Sequence, residues 1–251
     1  MIVYFIGAGP GDPQLLTLKA KKIIQAAHII IYAGSLINKD ILRIASQKAL
    51  RYDSSKMALE QVLAIMQKAK VSKKIIARVH SGDPSLFGAI QEQIYWCREK
   101  KVSYEIIPGV SSFCAAAAAL KQELTLPGIT QTVIITRISG RTKVPKKEDL
   151  KVLSRIKATL VIFLSVDKIS QVVRQVRYGY GWDTPVAVVY RASWPNEKIV
   201  RGTLKDIAAK VKHVDIKKQA LIFVGQVLNQ EGFAMSRLYD NNFSHLFRKS
   251  R

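Results

Sequence analysis

Three times in its first half the chain runs a short apolar segment straight into a turn rich in Gly, Ser and Pro, then resumes with helical spacing. Ile75-Ile76-Ala77-Arg78-Val79 enters His80-Ser81-Gly82-Asp83-Pro84-Ser85-Leu86-Phe87-Gly88, and apolar residues from Leu86 to Glu99 keep a helix-compatible period. Ile2-Val3-Tyr4-Phe5-Ile6 enters Gly7-Ala8-Gly9-Pro10-Gly11-Asp12-Pro13, followed by a helical pattern over Leu15 to Ala27. Tyr104-Glu105-Ile106-Ile107 enters Pro108-Gly109-Val110-Ser111-Ser112, then the small-residue helix Phe113 to Leu120. Strands joined through helices predict a mostly parallel sheet. Each turn then lies beyond the carboxyl end of a strand, where open α/β sheets bind ligands.

The first of these turns invites a dinucleotide reading, and its details refuse it. Gly7 and Gly9 fit G-x-G-x-x-G, but Asp12 stands at the third glycine position and would repel a pyrophosphate. The next predicted strand, His28 to Tyr32, runs into Ala33-Gly34-Ser35 with no carboxylate to hold a ribose hydroxyl. Close backbone approach to another ligand is the preferred reading. In the third turn, Ser111 or Ser112 can serve as a helix N-cap, which accounts for both without a ligand. The run Ala115 to Ala119 asks for more, because a helix so poor in side chain suits close packing against another surface.

Further elements are expected as a strand near Ala49 to Tyr52 and an amphipathic helix from Met57 to Lys68. From Gln122 the texture changes. Leu124 to Thr130 reads as a hinge, Gln131 to Thr136, Thr159 to Leu164, Pro185 to Arg191, Lys198 to Gly202 and Ala220 to Gly225 as strands, and Ile169 to Val176 as a helix. Lys143 to Arg155 reads as a lysine-rich connector and helix, and Thr203 as the cap of a helix with apolar residues at 204, 207 and 211. The links are short and the strands read as partly antiparallel. The expected organisation is therefore an α/β protein of two α/β domains, 1–121 and 122–235, with a ligand cleft between them and a tail at 236–251.

Composition narrows the partners. The 251 residues carry a formal net charge of +22, which steers polyanions towards the surface; nucleic acid, an acidic membrane and a polycarboxylate small molecule all answer to that field. Cys97 and Cys114 belong to no CxxC or Cys/His pattern and read as buried free thiols, with no metal expected. The amino terminus lacks a basic leader region, and no apolar run reaches the roughly 18 residues that span a bilayer. A cytoplasmic, soluble protein is expected. No G-x-S-x-G elbow, H-E-x-x-H helix, P-loop or paired-carboxylate motif is present, and His80, His213 and His245 are isolated. Backbone, hydroxyls and one or two aspartates suit a reaction that mainly needs two substrates held in line.

These residues resemble the tetrapyrrole methylases. Gly7 to Pro13 with Leu15-Leu16-Thr17 looks like the first motif of that family, His80 to Pro84 with Gly88 like its second, and Pro108 to Ser112 like its third. Within the family, uroporphyrinogen methylases carry an acidic residue directly after the tyrosine that ends the second strand, whereas Ala33-Gly34-Ser35-Leu36 follows Tyr32 here. That run, Gln131 to Arg137, Gly140-Arg141-Thr142, Tyr190-Arg191-Ala192-Ser193-Trp194-Pro195 and the tail from Ser236 to Arg248 are similar to the branch that methylates carbon 11 of precorrin-4 on the cobalamin pathway.

The resemblance implies S-adenosylmethionine as methyl donor, S-adenosylhomocysteine as product and a polycarboxylate tetrapyrrole as acceptor, in a homodimer. By motif, the donor contacts fall on Pro10, Ser81, Gly82, Asp83, Leu86, Ser111, Ser112, Leu164 and Ala192. Arg137, Arg141 and Arg191 are the candidates for the acceptor's carboxylates, since a guanidinium pairs with a carboxylate at two points; their alternative is solvated surface charge. Lys56 is a candidate for proton movement or an ordinary exposed lysine, and no catalytic residue is assigned. Two rivals stand beside this reading: a ribosomal RNA methyltransferase of the same fold, favoured by the charge, and a non-catalytic basic binding protein.

Overall fold

The structure, a computed structural model, describes residues 1–140, 142–229, 233–237, 240, 243–244 and 246–249. It divides into two compact units, Met1–Ala116 with Arg191–Glu197, and Ala117–Tyr190 with Lys198–Arg251. The boundary expected between 121 and 122 falls instead within the alanine-rich helix. The change of texture at Gln122 marks where that helix has ended, not where the packing changes. Segment Arg191–Glu197 groups with the first unit because Ser193 and Trp194 bond to the loop after the first strand, and residues expected as a separate tail group with the second unit. Leu238, Tyr239 and His245, part of the tail resemblance, lie outside the described residues.

In the first unit the elements are β1 (Ile2–Gly7), α1 (Leu18–Ala26), β2 (Ile29–Tyr32), α2 (Lys39–Arg43), β3 (Leu50–Asp53), α3 (Leu59–Val71), β4 (Ile75–His80), α4 (Gln91–Glu99), β5 (Ser103–Ile107) and the opening of α5 (Ser112–Leu120), whose residues from Ala117 onward fall in the second unit. The strands pair in the order β3-β2-β4-β1-β5, parallel throughout. Alternation along β1 explains why both faces are covered. Val3 and Phe5 join a core with Ile29, Ile31, Met66, Ile76 and Ile94, whereas Ile6 faces Ala20, Ile24, Ile30, Ala77 and Val79. Each such side chain contributes about 1.5–3 kcal/mol on burial, so β1 is held from both sides. Its register sets Gly7 opposite His80 and Ile6 opposite Ile107, bringing the ends of β4, β1 and β5 level.

The helix expected from Leu86 begins only at Gln91. A Cβ on Gly88 would lie 2.2 Å from the Pro84 carbonyl oxygen, and Phe87 and Ala89 hold φ near 54° and 48°. Residues 83–90 therefore fold as a tight turn that helical backbone angles cannot enter.

The second unit contains β6 (Val133–Arg137), α6 (Leu150–Leu153), β7 (Thr159–Phe163), α7 (Ile169–Val176), β8 (Pro185–Tyr190), β9 (Lys198–Thr203), α8 (Ile207–His213) and β10 (Ala220–Val224). Its order is β6-β7-β10-β8-β9, with β6 and β7 parallel and the remaining pairs antiparallel, the mixed sheet that the short links predicted. Because β7 and β8 both oppose β10, the strands β6, β7 and β8 end on one edge, at Arg137, Phe163 and Tyr190. Leu160, Ile162, Ile222 and Val188 share a core with Val172, Val173 and Val176 of α7 and Ile207 and Val211 of α8. Thr203 ends β9 and is not the helix cap. Asp206 stands there, and its carboxylate turns back to accept the Thr203 amide at 2.8 Å. Among the described residues no helix is long and apolar enough to cross a membrane.

Candidate functional site

The three turns singled out in the sequence meet at the carboxyl edge of the first sheet, and glycine is what lets them meet. Ala8 donates its amide to the His80 carbonyl at 2.8 Å, and Gly9 and Gly82 exchange amide-to-carbonyl bonds at 3.2 and 2.8 Å. A Cβ on Gly7 would lie 2.6 Å from the Gly109 nitrogen and 2.7 Å from the Gly82 oxygen; one on Gly109 would lie 2.4 Å from that same oxygen. No side chain fits there. At Gly82 the demand is conformational instead: its φ of 65° is the left-handed region, while the nearest atoms to a Cβ, Ser112 N and Ser111 Cα, lie 3.5 and 3.6 Å away.

Asp83 fastens this junction. Its Oδ2 accepts the Gly109 amide at 2.9 Å, and its Oδ1 accepts the Ser85 amide and hydroxyl at 2.8 and 2.5 Å. Partial burial opposes ionisation, but the bonds from the Ser85 hydroxyl and from the Gly109 and Ser85 amides outweigh it and hold the carboxyl below its usual value. The Leu86 amide closes the turn onto the Asp83 carbonyl. Ser111, buried, takes the position before α5, and its carbonyl accepts from Cys114 and Ala115.

Polar side chains from elsewhere in the unit hold the Pro10–Asp12 loop. Trp194 donates its indole N–H to the Pro10 carbonyl at 2.8 Å, Asn38 donates to the Gly11 carbonyl at 2.9 Å, and the Asp12 amide donates to Ser193 Oγ at 3.0 Å. The indole fills the space where a Cβ on Gly11 would stand, 2.1 Å from Nε1. Asp12 itself accepts the Gln14 amide at 2.8 Å and starts the turn Pro13–Leu15, so the carboxylate that refused the dinucleotide reading is a local cap. Beneath the 83–90 turn, buried Arg78 donates to Gln93 Oε1 at 3.0 Å and to the Ile31 carbonyl at 3.3 Å, and Gln93 donates to the Ala89 carbonyl at 3.1 Å. Burial lowers the guanidinium pKa to about 10. His80 lies two residues along β4, 4% exposed, its Nε2 without a hydrogen-bond partner. Burial first, and the Arg78 charge second, drop its pKa to about 3, so the imidazole is neutral.

Of the nine candidate donor contacts, Pro10, Ser81, Gly82, Asp83, Leu86, Ser111, Ser112 and Ala192 all belong to the first unit, seven of them on the joined turns. Leu164 belongs to the second, just past β7, 66% exposed with φ near 51°, an unusual backbone for leucine. Among the arginines, Arg191 lies with its guanidinium 5.0 Å from the Trp194 ring centroid. Arg137 is turned onto its own loop, donating to the Thr142 carbonyl at 2.9 Å and the Lys143 carbonyl at 3.3 Å. Arg141 lies outside the described residues, and Lys56 is exposed. Sequence reasoning missed Trp194, Ser193, Asn38, Arg78 and Gln93 as parts of this assembly. The first two stand inside a segment already marked by resemblance, and a buried-looking arginine in an apolar strand was a signal for the fourth.

A rim of this make-up has the chemistry to bind and orient a ligand. Its carboxylate is engaged with backbone amides, its histidine is buried and neutral, and among the described residues no three His, Cys, Asp or Glu side chains gather to hold a metal. Main-chain groups brought together by glycines make up most of this rim. The family model for tetrapyrrole (corrin/porphyrin) methylases matches residues 2–208, and the chain belongs to that family. A cobalt-precorrin-4 C(11)-methyltransferase of Methanocaldococcus jannaschii is 55% identical over 249 residues, 99% of this chain and 96% of the relative. A solved cobalt precorrin-4 methyltransferase matches with a TM-score of 0.88 at 44% identity, over 91% of this chain and 96% of that one. A Thermus thermophilus uroporphyrin-III C-methyltransferase, solved with S-adenosylhomocysteine, matches at 0.77 and 28% identity, over 91% of this chain and 94% of that one.

Proposed function

We propose that the chain transfers the methyl group of S-adenosylmethionine to carbon 11 of precorrin-4, with or without bound cobalt, and releases S-adenosylhomocysteine. The observation that carries this is the junction of Gly7, Gly82 and Gly109, where three strand tips meet backbone to backbone beside Ser111 and Ser112. Such a junction fits a large zwitterionic donor, because the first amides of α5, those of Ser112 and Phe113, have no acceptor within the helix and suit a carboxylate. Pro10, Ser81, Gly82, Asp83, Leu86, Ser111, Ser112, Leu164 and Ala192 would hold it. When bound, the donor supplies an electrophilic methyl on a sulfonium.

The acceptor carbon is already electron-rich, so the protein need not generate a nucleophile. Its residues hold, orient and exclude water; orientation of two reactants supplies about 7–11 kcal/mol of such barriers. Arg137, Arg141 and Arg191 would pair with acceptor carboxylates, and Arg137 also donates to the carbonyls of Thr142 and Lys143. Family resemblance leads us to propose a homodimer as well, which sedimentation equilibrium checks.

The experiment is incubation with methyl-labelled S-adenosylmethionine and precorrin-4, cobalt-loaded and metal-free, with ribosomal RNA as control acceptor. Label at carbon 11 of the tetrapyrrole is expected. Label in RNA alone, with binding that collapses steeply as salt rises, would favour the rival that the +22 charge suggests. No calorimetric signal with S-adenosylmethionine would leave a non-catalytic binder.

A further inference from the structure

The carbonyls of Pro10 and Gly11 and the amide of Asp12 are all satisfied by side chains remote in sequence. Two of the three come from Arg191–Glu197, a segment under strain. Arg191 and Ser193 hold φ near 47° and 67°, and the segment is closed on itself by bonds from Trp194 N to the Arg191 carbonyl, Glu197 N to the Trp194 carbonyl, and Ser193 N to Glu197 Oε2 at 2.7 Å. Non-glycine residues stay in that region only where their surroundings insist on it, and such strain collects at functional positions. What the strain achieves here is geometric. It presents the Ser193 hydroxyl and the Trp194 indole together to one short loop.

We propose that Trp194 is a positioning residue for the methyl donor, acting through Pro10. The indole N–H fixes which way the Pro10 carbonyl points, and the ring closes the space over Gly11, so this later segment sets the shape of the β1–α1 loop. The inference rests on the reading of that loop as part of the donor site. It assigns Trp194 no contact with either substrate, and it predicts a selective effect: as long as an aromatic ring stays beside Arg191, the donor should feel the loss of the clamp and the tetrapyrrole should not.

The test uses the full chain and two variants, Trp194→Phe, which keeps an aromatic ring but donates nothing, and the milder Ser193→Ala. Donor affinity is measured by calorimetry, tetrapyrrole affinity by absorbance titration, and KM for the donor separately from kcat. Loss of one well-placed hydrogen bond predicts donor affinity weaker by about tenfold in Trp194→Phe. KM for the donor should rise to match, with kcat and tetrapyrrole affinity unchanged within about threefold, and Ser193→Ala should shift the same way by a smaller factor. Should Trp194→Phe fail to fold, the same donor-selective shift in Ser193→Ala carries the decision. Equal donor affinity in wild type and folded variants would overturn the inference alone, as would parallel weakening of both ligands. A wild type that takes up no S-adenosylmethionine would overturn the donor-site reading beneath it, and this inference with it.

Discussion

Asp83 and Gly109 are joined across two loops by a 2.9 Å bond from the glycine amide to the aspartate Oδ2, and that bond locks the tip of β5 to the tip of β4. Asp83→Ala leaves the Gly109 and Ser85 amides without their acceptor. A cost of about 1–3 kcal/mol in urea unfolding is expected, together with weaker donor binding by calorimetry. The Asp83 carboxyl is held below its ordinary value in the folded protein, so its contribution is present above the unfolded pKa near 3.9 and disappears as pH falls through the lower folded value. Wild type and Asp83→Ala should therefore begin to converge in stability as pH falls below about 4.

Two glycines offer a matched pair. An added Cβ at Gly109 would meet the Gly82 carbonyl oxygen at 2.4 Å, whereas at Gly181 it would meet nothing within 4 Å. Gly109→Ala should lower stability by about 1–3 kcal/mol, as overpacking does, and abolish donor binding. Gly181→Ala should leave the donor site alone and change stability by less than about 1 kcal/mol. Thermal melts and calorimetry on both proteins check the contrast.

His80 should give the protein an acid-side slope. Its folded pKa near 3 lies below the unfolded value near 6.5, so the unfolded chain gains a proton first as pH drops. Full stability from this group is present above about pH 6.5 and declines towards pH 3 by about 1.4 kcal/mol per pH unit. In His80→Gln that slope should disappear, which urea midpoints at pH 7.5 and 5.5 would reveal. Parallel pH profiles would rule the assignment out.

The two thiols should differ in reach. Cys97 is buried, and burial pushes its pKa up to about 11; Cys114 is exposed, two residues past Ser112. Maleimide added to the native protein should modify Cys114 and spare Cys97. If Ser111 and Ser112 contact the donor, saturating S-adenosylmethionine should slow Cys114 labelling several-fold, read by mass spectrometry. Labelling of Cys97 at the same rate would contradict the core packing of α4.

Much of this was legible because period and punctuation act locally. The alternation in Ile2–Ile6, the break at Gly82-Asp83-Pro84 and the small residues after Ser112 each name an element and its end. Local cues fail where a distant atom decides. Leu86 has helical spacing, yet the Pro84 carbonyl over Gly88 forbids the helix until Gln91. Thr203 looks like a cap, yet the strand claims it and Asp206 reaches back. Both cysteines read as buried, yet Cys114 lies on the outer face of α5. The role of Trp194 could not be read at all from its neighbours, because its partner Pro10 is 184 positions away.

That separation has an outcome for biosynthesis. A nascent chain that has emerged only as far as Tyr190 carries every glycine turn of the first unit but lacks the residues that tie down Pro10 and Asp12. Contacts between residues so far apart in sequence form slowly, although the entropy of closure rises only gently with loop length. The clamp on the Pro10–Asp12 loop should thus close only once Ser193 and Trp194 have been synthesised, and products truncated before them would leave that loop unfastened.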